Sequence, residues 1–289
     1  MRPTIWLITY DGLPQLDPDD ELAAKILRDR GFICAPKVWD DPKVDWTKCQ
    51  FAIMRSAWDY HRKYDSFRKW LAQPAFEGKM WNPPELMLWN SRKTYLRELE
   101  AAGIDVVPTV WLDQDVDEQI IRNTLADSAW NEAIVKPAVG LATFGVHRVK
   151  LQTQHEHAMH TIAEICAKGE TMLQPYMQAV EDLGERSLVF MNGEFSHAIR
   201  KTAFQHFAPA GGAGERLIEP EADEIELARK ALTNLPHQWL YARVDMVRDV
   251  EHNKPRLMEL ELVEPSLFMQ FAPEGPKRFA DAIETRISA

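Results

Sequence analysis

The chain has 289 residues, enough for one large core or two to three small domains, and its 34 basic and 44 acidic side chains give a formal net charge of −10. That acidity disfavours nucleic acid and anionic lipid as partners, and no stretch is long and apolar enough to span a bilayer. The short apolar run of Met1–Tyr10, ended by Asp11, is not a signal peptide, and Cys34, Cys49 and Cys166 lack metal-type spacing, so a cytoplasmic protein with reduced, buried thiols is expected.

The first third alternates strand and helix patterns. Thr4–Tyr10 reads as a buried strand closed by the Asp11-Gly12 turn. Asp17–Arg30 suits a helix, with Leu22, Ile26 and Leu27 as its apolar positions, aspartates at its start and Gly31 as its stop. Phe51–Met54 is a second strand, Tyr64–Leu71 a helix, and Lys79–Trp81 a short strand broken by Asn82-Pro83-Pro84. Such alternation predicts a parallel α/β sheet, in which ligands bind beyond the carboxyl ends of the strands. The residues falling there are Asp11, then Arg55, Trp58, Asp59, Tyr60 and His61, then Trp81. They are the candidate substrate contacts. The competing reading makes Trp58, Tyr60 and Trp81 core aromatics and pairs Arg55 with Asp59.

Further along, the pattern predicts a helix over Arg92–Ala102 with Gly103 as its stop and a strand ending at Val110-Trp111. A charged helix over Asp115–Leu125 and a strand over Ala133–Lys136 follow. Thr171–Gln174 is a strand with a bend at Pro175-Tyr176. Arg186–Met191 and Glu194–Arg200 are two strands joined by Asn192-Gly193, a strong hairpin signal. Thr202–Arg216, with Gly211, Gly212 and Gly214, reads as a mobile loop. Tyr241–Arg248 and Arg256–Val263 are the last two strands. His155, His157 and His160 diverge around a helix and read as a solvated face; His197 and His206 are better placed for substrate.

The chemistry concentrates near the end. Asp245 and the alternating pair Glu259 and Glu261 share one side of adjacent strands, because side chains repeat every second residue. Three carboxylates among apolar neighbours require neutralisation, and Mg²⁺, which takes one or two carboxylates with waters and phosphate oxygens, is the natural agent. Upstream, Lys136 ends an apolar strand before Pro137 and a loop with Gly140 and Gly145, an arrangement that brings a point charge and backbone N–H groups to phosphates. Neither a P-loop nor a Gly-x-Gly-x-x-Gly fingerprint is present.

The order of these features resembles the ATP-grasp superfamily, and within it the glutathione-synthetase-like carboxylate–amine ligases. The features are Asn90-x-x-Lys93, the strand lysine Lys136, Gln174-Pro175-Tyr176, the carboxylate-bearing hairpin, Asp245, and Glu259-x-Glu261. Tyr10–Pro14, Arg55–His61, Trp81–Pro84, Ser196–Lys201, Tyr241–Asp245 and Met258–Phe268 are similar to the group that contains the cyclo-ligase forming D-cycloserine from O-ureido-D-serine. The resemblance implies an ATP-grasp fold preceded by a small parallel α/β domain: residues 1–90 before it, 91–174 its central subdomain, 175–289 its catalytic subdomain. It implies that Lys93, Lys136 and Gly140 hold ATP phosphates and that Gln174, Pro175, Tyr176 and Met177 read the adenine. Glu181 or Glu185 takes the ribose, and Arg200 and Arg243 act on the transferred phosphoryl group. Asp245, Glu259 and Glu261 hold the metal, two Mg²⁺ ions with Mn²⁺ as the alternative.

The implied activity is ATP-dependent carboxylate–amine ligation of a small amino-acid-like substrate through an acyl phosphate, giving ADP and phosphate. The reaction is intramolecular if the amine lies on the same molecule; a homodimer is common among such relatives. An intermolecular, dipeptide-forming ligase and a non-catalytic ATP-binding protein are the alternatives. Three departures stand out: Glu261 where many relatives have Asn, a glycine-poor phosphate loop with Phe144, and Phe204-Gln-His206-Phe207 in the loop that closes on substrate.

Overall fold

The computed structural model describes residues 3–141, 143–202 and 214–288, as a mixed α/β architecture on three sheets. The first is parallel, in the order β2-β1-β3-β4. It is built from β1 (Thr4–Thr9), α1 (Pro18–Asp29), β2 (Ile33–Val38), β3 (Phe51–Ser56), α2 (Tyr64–Leu71) and β4 (Met80–Trp81). Ile5, Leu7, Ile8 and Ile53 are buried, as both faces of a parallel sheet must be. Asp17 starts α1 by accepting from the Asp19 N–H, with Pro18 in the first turn. Strand β2, which the pattern did not predict, carries Pro36 and lies at the sheet edge, where a missing donor is tolerated. The Asn82-Pro83-Pro84 break serves as a start: Pro84 opens α3 (Pro84–Asn90).

After α4 (Tyr95–Ala101) comes an antiparallel sheet in the order β5-β8-β6-β7. Its elements are β5 (Val110–Leu112), α5 (Glu118–Asp127), β6 (Glu132–Pro137), β7 (His147–Lys150), α6 (His155–Cys166) and β8 (Thr171–Pro175). Helices α5 and α6 cover it through Ile121, Leu125, Ile162 and Ile165.

The third sheet is antiparallel, in the order β11-β10-β9-β12-β13. It is formed, after α7 (Ala179–Asp182), by β9 (Glu185–Met191), β10 (Glu194–Lys201), β11 (Arg216–Ile218), β12 (Tyr241–Asp249) and β13 (Lys254–Glu261), with α8 (Ala222–Thr233) between β11 and β12. The β9–β10 turn places Asn192 and Gly193 both at positive φ, as its sequence predicts. One face packs Leu188, Phe190, Ala198 and Val244 against Leu227 and Ala228 of α8. Helix α9 (Gly275–Ser288) closes the chain against α1, with Phe279 and Ile283 beside Leu27.

Buried hydrogen bonds fasten the first sheet to the third. Asn82 Nδ2 donates to the Tyr241 and Leu262 carbonyls at 2.9 and 2.8 Å. Tyr241 Oη donates to the Met54 carbonyl at 2.7 Å, and Arg55 Nη2 reaches the Pro265 carbonyl at 2.8 Å. The carboxyl ends of β3 and β4 are thereby held beside the ends of β12 and β13.

Candidate active site

The polar face of the third sheet is set by register. Arg243 lies opposite Glu261 and Asp245 opposite Glu259, while on the other side of β12 Ser187 lies opposite Asp245. Lys201 lies opposite Glu185. With a side-chain period of two, all these groups stand on the face opposite α8.

Their contacts form a balanced network. Arg243 places Nε and Nη2 at 2.9 Å from the two oxygens of Asp245 and also meets Glu261. Lys201 Nζ donates to Asp245 at 3.1 Å and pairs with Glu185, and Ser187 Oγ donates to Asp245 at 2.6 Å. From the second sheet, Lys136 Nζ reaches Glu259 at 2.7 Å. Lys93 Nζ, between α3 and α4, lies 3.7 Å from Glu259 and 2.7 Å from the Gly140 carbonyl. Four cations thus face Glu185, Asp245, Glu259 and Glu261, which makes their burial tolerable.

The protonation of these groups follows from their neighbours. Burial opposes ionisation of Glu259, but Lys136 and Lys93 overcome it and hold its carboxyl down at about 2. Asp245, equally buried, is held well below the usual carboxylate range by Arg243 and Lys201. Burial wins at Glu185, pushed up to about 7 against the pull of Lys201, and at Glu261, raised despite Arg243.

Among the described residues no three His, Cys, Asp or Glu side chains already converge as a metal cage, since the basic groups occupy the carboxylate oxygens. Asp245, Glu259 and Glu261 nevertheless offer the hard oxygen donors that Mg²⁺ takes, and it needs few of them when phosphates and waters complete the shell.

A narrow cleft opens beside this network, lined by Tyr60, Ser91, Lys93, Gly140, Glu259, Glu261 and Glu264, among others. It lies between the third sheet and the carboxyl end of the first, the position expected for a substrate pocket.

Arg200 is not part of the network. It faces the other side of the sheet, where its Nε donates to the Leu183 carbonyl. Counting pairs from the Asn192-Gly193 turn would set Arg200 opposite Glu185. A bulge between Phe195 and His197 adds one residue, so Lys201 takes that place. Sequence reading missed Lys201 and Ser187, and only the bulge distinguishes Lys201 from its neighbour.

The expected nucleotide contacts divide. Gln174 is buried and donates to Thr109 Oγ1 at 2.8 Å. The Tyr176 N–H donates to the Glu132 carbonyl at 3.0 Å, and its ring lies 3.6 Å beneath the Arg148 guanidinium. Pro175 ends β8, and Met177 packs with Val107, Ala179 and Val247. Glu181 gathers Arg148, Tyr176 and Gln178 at the exposed rim, whereas Glu185 lies inside.

The expected substrate contacts divide as well. Arg55 is wholly buried, 2.7 Å from Asp20 and over the Tyr241 ring, and does not pair with Asp59. Asp59 instead accepts from Trp39 Nε1 and Lys63, both at 2.8 Å. Arg55 and Asp59 are both held by protein groups, and neither lines the cleft. Trp81 lies beneath Arg286, Asp11 is exposed, and neither lines the cleft. Trp58 Nε1 donates to the Glu264 carbonyl at 3.0 Å, Tyr60 lines the cleft, and the His61 ring lies tilted against Phe144 with ring centroids 4.8 Å apart. His197 is buried, with Nε2 2.7 Å from the Leu267 carbonyl, and burial pushes it down to about 4. His206 lies outside the described residues, as does most of the loop expected to close on substrate. His155, His157 and His160 lie on α6 without forming a metal cluster.

Residues 5–82 match the family model for the N-terminal domain of D-cycloserine synthetase DcsG. The cycloserine biosynthesis protein DcsG of Streptomyces lavendulae is 31% identical over 264 residues, which cover 86% of this chain and 87% of that protein. The chain belongs to the DcsG family of ATP-grasp ligases. The crystal structure of D-cycloserine synthetase DcsG matches this DcsG-family ligase with a TM-score of 0.88 and 28% identity over 98% of this chain and 99% of that one. Two more distant structures share the fold. D-alanine–D-alanine ligase from Bacillus anthracis, complexed with ATP, gives a TM-score of 0.68 at 18% identity, covering 99% of the DcsG-family chain and 97% of its own. The ATP-grasp ligase PsnB, complexed with minimal precursor, Mg and ADP, gives 0.66 at 16% identity, covering 99% and 98%. The protein is therefore an ATP-dependent ligase, and its fold is shared by a ligase complexed with ATP and by one complexed with Mg and ADP.

Proposed function

We propose that this ligase phosphorylates the carboxylate of a small amino-acid-like substrate and couples the acyl group to an amine, releasing ADP and phosphate. The observation that carries the reading is the set Asp245, Glu259 and Glu261, balanced by Lys93, Lys136, Lys201 and Arg243, with Lys93, Glu259 and Glu261 lining one cleft.

A carboxylate acylates poorly because its leaving group would be oxide. In the first step its oxygen attacks the γ-phosphorus, the bond to the β–γ bridging oxygen breaks, and ADP leaves. In the second the amine nitrogen attacks the acyl carbon, loses a proton and expels phosphate. Both steps ask the protein for positioning and charge neutralisation. Lys93 and Lys136 exchange Glu259 for phosphate oxygens, and Gly140 lets backbone approach them. Arg243, its fork fixed on Asp245, and Lys201 meet the charge that develops on the transferred group. Asp245, Glu259 and Glu261 hold Mg²⁺, as two ions or with Mn²⁺ in its place, which supplies Lewis-acid neutralisation at the phosphates when bound.

The end of β8 and the two residues after it, Gln174–Met177, border the adenine, and the rim position of Glu181 favours it over Glu185 for the ribose. Residues 1–90 frame the substrate, 91–174 cover the nucleotide and 175–289 carry the catalytic face, with α9 returning to α1. Kinship to a protein named for cycloserine biosynthesis supports ring closure within one substrate; joining two amino acids would use the same nucleotide site.

The test is turnover of MgATP with D- and L-amino acids, O-ureido-D-serine included, with and without hydroxylamine. Acid-dependent ADP and a trapped hydroxamate are expected. AMP in place of ADP, or ADP formation indifferent to every acid and amine, refutes the acyl-phosphate reading.

A further inference from the structure

Glu264 is 5% exposed and lines the cleft. Its main chain is fixed, since its carbonyl accepts from Trp58 Nε1 and the next carbonyl, that of Pro265, accepts from Arg55. Among the described residues its carboxylate has neither a hydrogen bond nor an ion pair. The Tyr60 hydroxyl, 4% exposed on the same cleft, likewise has no hydrogen-bond partner among them. The nearby cations are engaged elsewhere. Arg55 is held by Asp20 and Pro265, Arg243 by Asp245, Glu261 and the Ser266 carbonyl, and Lys93 by Gly140. A carboxyl group that faces a cleft and has no donor from the protein can take one from a ligand. Lys93 and Glu259, the phosphate-facing groups, line the same cleft. The amino and carboxyl groups of an α-amino acid are only two bonds apart at the α-carbon, so one molecule can turn its carboxyl to them and its ammonium to Glu264.

We propose that Glu264, with Tyr60, forms the subsite that binds the ammonium group of the amino-acid-like substrate. This rests on the ligase reading above. Trp58 acts as a positioning residue, holding the Glu264 main chain. Burial, with Glu261 nearby, holds the Glu264 carboxyl well above its usual range, which makes its lack of a partner tolerable, and an ammonium ion would restore the ionised form.

The experiment is calorimetry on the full chain saturated with MgAMPPNP. The probes are D- and L-serine and D- and L-alanine against D- and L-glycerate and D- and L-lactate, in which a hydroxyl replaces the ammonium. The wild type is expected to bind at least one amino acid at least about tenfold more tightly than its hydroxy analogue. Glu264→Gln is expected to abolish that preference while leaving the affinity for hydroxy acids and for MgAMPPNP unchanged. Glu264→Asp, which keeps the charge, is expected to retain a preference, an outcome that a purely structural carboxylate would not produce. No ammonium preference in the wild type, or the same preference in Glu264→Gln, overturns the proposal. ADP release read in parallel with MgATP separates the two ideas. Ammonium preference without ADP formation refutes the ligase reading alone, and ADP formation with an undiminished preference in Glu264→Gln refutes the subsite alone.

Discussion

Asp245 accepts from Arg243, Lys201 and Ser187 together, so its negative charge is spread over three fixed donors. Two of those donors are cations, already oriented on one carboxylate. Lys201 is one of them, and Arg200, one residue earlier, turns the other way towards the Leu183 carbonyl. The two neighbours therefore separate a role in charge neutralisation from a role in the loop. Lys201→Met is expected to lower acid-dependent ADP formation by about 10²-fold or more, as loss of one preorganised donor does. Arg200→Met is expected to change it by less than about tenfold. Steady-state rates of the two variants decide the matter; an equal loss in both would mean that the face assignment is wrong.

At the scale of elements, the bulge in β10 and the turn before β9 fix which side chains enter the site. Gly184 joins α7 to β9 at φ +81°, and a Cβ there would stand 2.7 Å from the Lys201 carbonyl and from Arg200 Nε. Glycine is required on both counts: the left-handed backbone and the close approach of β10. Gly184→Ala is expected to destabilise the fold by about 1–3 kcal/mol, read as a lower midpoint in urea. An unchanged midpoint would show that the turn relaxes freely.

The same elements show what the sequence carries and what it leaves to tertiary structure. The parallel first sheet was legible from its buried runs, and the hairpin from Asn192-Gly193. That Asp245, Glu259 and Glu261 share one face of the sheet followed from strand alternation, because the period of two needs no tertiary information. Strand β2 was not legible, since an edge strand with Pro36 lacks the apolar run of its neighbours. Lys201 was hidden by a bulge, an added residue that leaves no local mark. Arg55 and Asp59, open to reading as substrate contacts or as one pair, have separate partners in Asp20 on one side and Trp39 and Lys63 on the other, which sequence distance does not reveal. The sequence allows Glu264 either to cap the metal site or to end the strand, because its unpartnered state exists only once the two sheets meet.

At the scale of the whole molecule, the last quarter of the chain binds the three sheets together, and two of its fastenings respond to pH. His197 on β10 holds the Leu267 carbonyl, and Asp19 at the start of α1 accepts from the Gln270 N–H at 2.7 Å. Burial drives the two groups oppositely in charge: His197 is pushed from 6.5 down to about 4, and Asp19 from 3.8 up to about 6. Between pH 6.5 and 4 the unfolded chain protonates His197 while the folded one does not, so unfolding takes up a proton. The contribution of His197 is complete above pH 6.5 and falls by about 3 kcal/mol as the pH drops to 4. Asp19 works the other way, because the folded state binds its proton first and gains stability as the pH falls through 6. The two effects partly cancel in the wild type, so the measurement is the difference between wild type and His197→Gln in urea stability from pH 4 to 7. The wild type is expected to lose its advantage over the variant progressively below pH 6.5. A difference that stays constant across that range would mean that the imidazole is protonated in the folded state, and that the Leu267 contact does not require a neutral ring.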